Sequence, residues 1–206
     1  MEVQIIKRRI SPQQKERRQH IIACARQLIL EQGATMSMEA VAAMAGTSRS
    51  TLYRSFTSRE HLIADVTLDA GYRLIEFLEQ HPPQGRTVGG KISSLCAQVS
   101  TLAAGSSTLL AVCVNNIASE DPAVIDAQHE IERLISGIFG SVLGEVPVAN
   151  RGKVESTIFR YLLGSFILAT TGKLTFDEIS TDLADLCRNL LSAVWDRDCT
   201  AQGQTS

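Results

Sequence analysis

Several features are scarce or missing in this chain of 206 residues. The strongly apolar, uncharged stretch from Tyr161 to Gly172 falls well short of the roughly 20 residues a helix needs to cross a bilayer. Lys7-Arg8-Arg9 is not followed by an apolar run, so no secretory signal is expected. Cysteines number five (Cys24, Cys96, Cys113, Cys187 and Cys199), an odd count with no C-x-x-C pair. With four histidines at no metal-ligand spacing, they point away from a zinc site and from a disulfide framework. No nucleophile–base arrangement or glycine-rich phosphate loop stands out, which argues against an enzyme and implies no cofactor. Neither period-2 strands with hairpin turns nor an internal repeat is visible. The expectation is a soluble, cytoplasmic protein with free thiols, no metal and no membrane partner.

What is present is ordinary globular material, 44% apolar and 20% charged residues, enough to bury a core. The net charge of −2 hides a division. Residues 1–60 carry ten Lys/Arg against five Asp/Glu, whereas the remaining 146 carry ten against seventeen. A basic third on an acidic body suggests a polyanion contact at one end; chance clustering on a solvated surface is the alternative.

The apolar periodicity is helical almost throughout. A first helix is expected over 12–32, with Ile21, Ala25, Leu28 and Ile29 on one face and Gly33 ending it. Two short helices follow at about 38–45 and 49–56, then a longer one at about 58–80. His81-Pro82-Pro83-Gln84-Gly85 breaks the chain, because proline restricts both itself and its predecessor. Further helices are expected at about 88–104, 106–118, 122–143, 151–172 and 176–196. Asp121-Pro122 supplies a cap and a first-turn proline, and Thr175-Phe176-Asp177-Glu178 reads as a capping box.

The segment 37–56 has the parts of a helix-turn-helix. Ala42 and Ala45 are small where two helices must cross, Gly46 suits the tight turn, and Ser48 can cap the second helix. Leu52 and Phe56, four apart, can face inward, while Arg49, Ser50, Thr51, Tyr53 and Arg54 present donors outward. Such a face suits base edges and phosphates.

The stretch from Ile21 to about Leu68 resembles the N-terminal domain of TetR-family repressors. The resemblance is carried by Ile21-Ile22-Ala23-Cys24-Ala25, Glu31-Gln32-Gly33, residues 38–46, Ser48-Arg49-Ser50-Thr51-Leu52-Tyr53, Phe56 and Ser58-Arg59-Glu60-His61-Leu62. It implies that Arg49, Ser50, Thr51 and Arg54 face base edges or nearby phosphates in the major groove. It also implies that Tyr53 gives its hydroxyl to a phosphate, and that Ser37 and Ser48, at the two helix caps, lie close to the DNA. Arg59, in the family's Lys position, would hold a phosphate with the N-terminal N–H groups of its helix. Arg49 is the candidate reader of guanine, because its fork matches O6 and N7. Three residues depart from the family pattern: Met38 for a common Thr, Thr47 for the usual Val, and Ser55 for a frequent aromatic or His. The implied fold class is all-α. A three-helix DNA-binding domain (1–58, with a linking helix to about 80) precedes a helical effector-binding and dimerisation domain (59–199) and a flexible tail (200–206).

The basic runs Lys7-Arg8-Arg9 and Lys15-Glu16-Arg17-Arg18 either add phosphate contacts or form a solvated terminus. In the body, Asn115 and Asn116 follow the apolar run Leu109-Leu110-Ala111-Val112-Cys113-Val114. They either anchor a ligand in an apolar pocket or finish a helix. Cys113 is either a small core residue or a redox sensor. The candidate pocket residues are Leu102, Leu110, Cys113, Asn116 and Phe166. Ile158, Leu162, Ser165, Phe166 and Ala169 make one stripe, and Ile179, Leu183, Leu186, Leu190 and Val194 a second. The resemblance implies that this pair also docks on a second copy. Ile158, Leu162, Phe166, Leu183, Leu186 and Leu190 are then the interface candidates. A dimer would set two readers about 34–36 Å apart, or a multiple, on a palindromic operator. Two readings of function remain: a repressor released by a small, mostly apolar effector, and a ligand-independent DNA-binding or adaptor protein with a solid core.

Overall fold

The computed structural model describes the backbone of residues 11–144 and 148–202 and the side chains of residues 11–144 and 151–190. Lys7, Arg8 and Arg9, and the side chains of Val194 and Cys199, lie outside the described residues. Within them the chain forms nine α-helices and no strand.

Local chemistry sets the helix starts. α1 (Pro12–Gln32) opens on a reciprocal cap: Gln14 N–H donates to Ser11 Oγ and Ser11 N–H to Gln14 Oε1. It ends at Gly33, whose φ of +61° only glycine adopts without strain. A 3-10 turn, Gly33–Thr35, leads to α2 (Met38–Met44), capped by Ser37. α3 (Arg49–Ser55) is capped by Ser48 and α4 (Arg59–Gln80) by Ser58. α5 (Val88–Gly105) follows the proline break; α6 (Ser107–Asn115) runs into a 3-10 turn, Asn116–Ala118. Asp121 caps α7 (Pro122–Val142). α8 (Val148–Thr170) and α9 (Phe176–Gln202) complete the chain, with Thr175 and Glu178 forming the expected box before α9. α9 continues to Gln202, past the 196 at which the periodicity fades and into the segment read as a tail.

Two main cores follow from how the apolar faces meet. The first joins α1, α2, α3 and the first half of α4 through Ile21, Ile29, Leu52, Phe56, Leu62 and Val66, and takes in Leu109, Val112 and Cys113 from α6. The second joins the last turns of α4 to α5, α7, α8 and α9 through Leu78, Ile92, Phe139, Ile158, Leu183 and Cys187. α4 therefore belongs to both, its early turns to one and its late turns to the other. A small third cluster, Ala64, Val124 and Ala127 with Leu68, ties the middle of α4 to α7.

The stripes expected on α8 and α9 pack inward. Ile158 and Leu183 have no exposed surface and sit in the second core. Leu186 and Leu190 pack half-buried against that core, and Leu162 and Phe166 turn towards a cavity. This corrects the interface expectation: Ile158 and Leu183 have nothing left to offer a second copy. The reason is that a regular stripe marks the face a helix buries most deeply, and here α9 meets α5 and α8, while α8 meets α6 and α9, within the same chain.

Candidate functional site

α3 is held by its inner face and free on its outer one. Leu52 and Phe56 are fully buried, and two such side chains stabilise the packing by about 1.5–3 kcal/mol each. Gly46, at φ +60°, makes the turn before it. Ser48 Oγ accepts from Thr51 N–H at 3.2 Å, donates to Thr51 Oγ1 at 2.9 Å and lies 3.0 Å from Ser50 Oγ. Three hydroxyls thus cluster at the start of the helix. Tyr53 and Arg54 are exposed on the same helix. Ser37 caps α2, its Oγ accepting from Ala40 N–H at 3.2 Å.

Arg49 projects from α3 and pairs with Glu39 of α2, its Nη2 2.6 Å from Oε1, with both side chains more than half exposed. An exposed pair of this kind contributes little stability. Its effect is to hold the guanidinium near one orientation until a stronger acceptor arrives.

The three departures from the family pattern now have places. Met38 is buried among the first core's residues, so its side chain supports the fold rather than facing a phosphate. Thr47 is half-buried, and its N–H donates to Ala42 carbonyl O at 2.9 Å in the turn. Ser55 turns its Oγ back to Thr51 carbonyl O at 3.4 Å.

Arg59 is engaged by the fold. Its Nε donates to Met36 carbonyl O at 3.0 Å and its Nη2 to Ala34 carbonyl O at 2.7 Å. The carbonyls ending the first 3-10 turn lack helical partners, and the guanidinium supplies them. Only its remaining N–H groups are left for a phosphate. Arg18 is committed more fully, so it is not a free member of the basic run. Its Nε donates to Asp65 Oδ2 at 2.8 Å and its Nη1 to Ser55 carbonyl O at 2.6 Å. The guanidinium also lies 4.2 Å from the Phe56 ring centroid. Lys15 and Arg17 are exposed.

Beneath this anchor, His61 Nε2 lies 3.1 Å from Arg18 Nη2, and its Nδ1 lies 3.1 Å from Thr57 Oγ1. Nδ1 also accepts from Thr57 N–H at 3.3 Å; since arginine too can only donate, both ring nitrogens face donors, an arrangement suited to the uncharged ring. Burial pushes the His61 pKa below its ordinary 6.5, with Arg18 acting in the same direction against Asp65 and Asp121. Two further bonds tie the first turn of α4 to the body: Ser58 Oγ donates to Asp121 Oδ2 at 2.5 Å, and Asn116 Nδ2 donates to Glu60 carbonyl O at 3.0 Å. The Ser58 hydroxyl, followed by Ala123 N–H, holds the Asp121 carboxyl below its usual range. No sequence signal marks these long-range partners.

A cavity of about 320 Å³ lies among α4, α5, α6, α7 and α8. Leu110, Cys113 and Phe166 line it as expected from the sequence. Leu102 stands outside it, exposed on the surface. Asn116 does not line it either, its amide being spent on Glu60. Leu102 belongs to the solvent side of α5, whereas Leu95, Cys96 and Val99 face inward. The α7 contribution, Gln128, Ile131, Glu132 and Ile135, was missed. A signal for it exists: a Gln and a Glu interrupt an otherwise apolar stripe at helical spacing. Burial pushes the Cys113 thiol up to about 11, which makes it an inert wall residue rather than a redox sensor. Cys24, Cys96, Cys113 and Cys187 are all free and buried.

Comparisons with known proteins agree with this geometry. Residues 21–66 match the family model described as bacterial regulatory proteins, tetR family. No curated protein matches the chain at a significant level. A TetR transcriptional regulator from Rhodococcus sp. RHA1 superposes with a TM-score of 0.77 at 19% identity, over 87% of this chain and 97% of that one. The transcriptional regulator FadR from Bacillus subtilis, solved in complex with stearoyl-CoA, gives 0.63 at 18% identity over 82% and 96%. The fatty acid degradation regulator FadR from Bacillus halodurans gives 0.65 at 16% over 82% and 96%.

Proposed function

We propose that this chain, whose residues 21–66 match the tetR family model, is a DNA-binding regulator rather than an enzyme and acts as a homodimeric repressor released by a small, mostly apolar effector. The reader is α3, with Arg49, Ser50, Thr51, Tyr53 and Arg54 towards the major groove and Ser37 and Ser48 beside them at the caps.

The observation that carries the effector half of this reading is the double life of α6. Leu109, Val112 and Cys113 belong to the core that holds the reader. Leu110, Cys113, Val114 and Ile117 line the cavity. An occupant pressing on one face of a nine-residue helix shifts what is packed on the other, since close-packed interiors transmit displacement. The cavity also weighs against the ligand-independent alternative, which requires a solid core. The Bacillus subtilis FadR, a chain of similar fold, was solved in complex with stearoyl-CoA, whose acyl chain is long and apolar.

The dimer forms through the outward side of α8, where Ile167 and Leu168 are exposed apolar residues beside Gly164. Selection of bound duplexes from a random pool tests the function. The expected product is a palindrome whose half-sites lie about 34–36 Å apart or at a multiple. Titrating apolar compounds against the complex with that duplex then tests release, and unchanged affinity across a broad panel would remove the effector from the reading.

A further inference from the structure

The polar groups on the cavity wall are few, and those without a partner share one character. Thr67 Oγ1 donates to Ile63 carbonyl O at 2.9 Å. Gln128 turns its amide nitrogen to Ile117 carbonyl O at 2.7 Å, which leaves Oε1 as the unpartnered end. Glu132, one turn further along α7, is exposed at the edge of the cavity and has no ion pair or hydrogen bond among the described residues, and its neighbour Arg133 is paired with Glu130. No Lys, Arg or His stands among the described residues that line the cavity. Phe139, Phe159 and Phe166 contribute aromatic surface to it.

An anionic head at this edge would meet the Glu132 carboxylate with no cation on the cavity lining to offset it, an unfavourable like-charge contact. A cation meets the reverse: a carboxylate without a partner and an amide oxygen one turn away, with apolar wall for the rest of the molecule. A volume of about 320 Å³ falls at the lower end of small-molecule sites. We propose that the cavity selects apolar molecules carrying a single positive charge, with the cationic end at Glu132 and Gln128 and the apolar body among the phenylalanines. This rests on reading the cavity as the effector site.

Three eight-carbon probes that differ only in their heads test it by calorimetric titration of the full chain: octyltrimethylammonium, 1-octanol and octanoate. The ammonium is expected to bind about tenfold more tightly than the alcohol, with octanoate weakest. Glu132→Gln is expected to lower ammonium affinity about tenfold while leaving 1-octanol unchanged. Asp126→Asn makes the same charge change at an exposed α7 position outside the cavity and is expected to leave both unchanged. The proposal is overturned if octanoate binds as tightly as the ammonium. It is also overturned if Glu132→Gln has no effect, or if Asp126→Asn matches it, which would make the effect one of net charge. In those cases, binding of 1-octanol keeps the effector site standing. If none of the three probes binds, the effector site falls and this selectivity with it.

Discussion

At the scale of single residues, Arg49 and His61 illustrate two kinds of role. Arg49 is exposed and weakly held by Glu39, and its proposed role is to exchange that carboxylate for guanine O6 and N7. Arg49→Ala should cost about 1–3 kcal/mol in operator affinity and relax the preference at one base pair, as measured by fluorescence anisotropy on the selected duplex and its single-base variants. His61 is structural. Its pKa is lowered by burial, so the folded protein binds fewer protons than the unfolded chain just below pH 6.5. The resulting stability is fully present above that value and is lost as pH falls towards the lowered one. The melting midpoint should therefore drop between about pH 7 and about pH 5, and His61→Gln should flatten that drop; an equal slope in the variant would assign it elsewhere. The roles of such residues differ in how legible they are. Ser37, Ser48 and Asp121 could be read as caps because a cap reaches only two or three residues along the chain. Arg59 and Arg18 could not be placed from sequence, since their acceptors lie 25 and 47 residues away.

At the scale of elements, α7 is, beside α6, a second contact between the cavity and the helices that hold α3. Its middle turns carry Gln128, Ile131, Glu132 and Ile135 on the cavity wall, and its cap, Asp121, grips the cap of α4 at 2.5 Å. Ser58 in turn accepts from His61 N–H at 2.9 Å and so starts the helix that follows the reader directly. Each residue thus does two things, capping its own helix and holding the other. Ser58→Ala and Asp121→Ala should each destabilise by about 1 kcal/mol as cap losses, and the double variant by less than their sum, with a coupling of about 1 kcal/mol. Denaturant titration of the four proteins measures this, and strict additivity would show that the contact carries no energy of its own. The helix bounds around these caps were legible because turns and caps are local. The facing of α8 and α9 was not. A stripe at helical spacing says that a helix has an apolar side, but it cannot say whether the partner lies in the same chain or in a second copy.

At the scale of the whole molecule, the basic end and the acidic body explain how a chain of net charge −2 can dock on DNA with one end only. Two readers must be joined to span a palindrome, and the free apolar surface on α8 is where the joining is proposed. Ile167→Asp with Leu168→Asp should yield a monomer by sedimentation and, with only one reader per molecule, remove tight operator binding while the helical content stays unchanged. The effector must then act through linkage. An occupant weakens operator binding only by the factor by which it prefers the DNA-free protein, and the operator must weaken the occupant's binding by that same factor. For a switch of ordinary strength that factor is about 5–150. Titrating operator at saturating octyltrimethylammonium, and octyltrimethylammonium at saturating operator, measures it twice. Two equal factors above unity would make the cavity and α3 two sites of one switch. Binding of the probe with both factors at unity would separate the cavity from the reader, and would mean that α6 and the Ser58–Asp121 contact hold the protein together without transmitting anything.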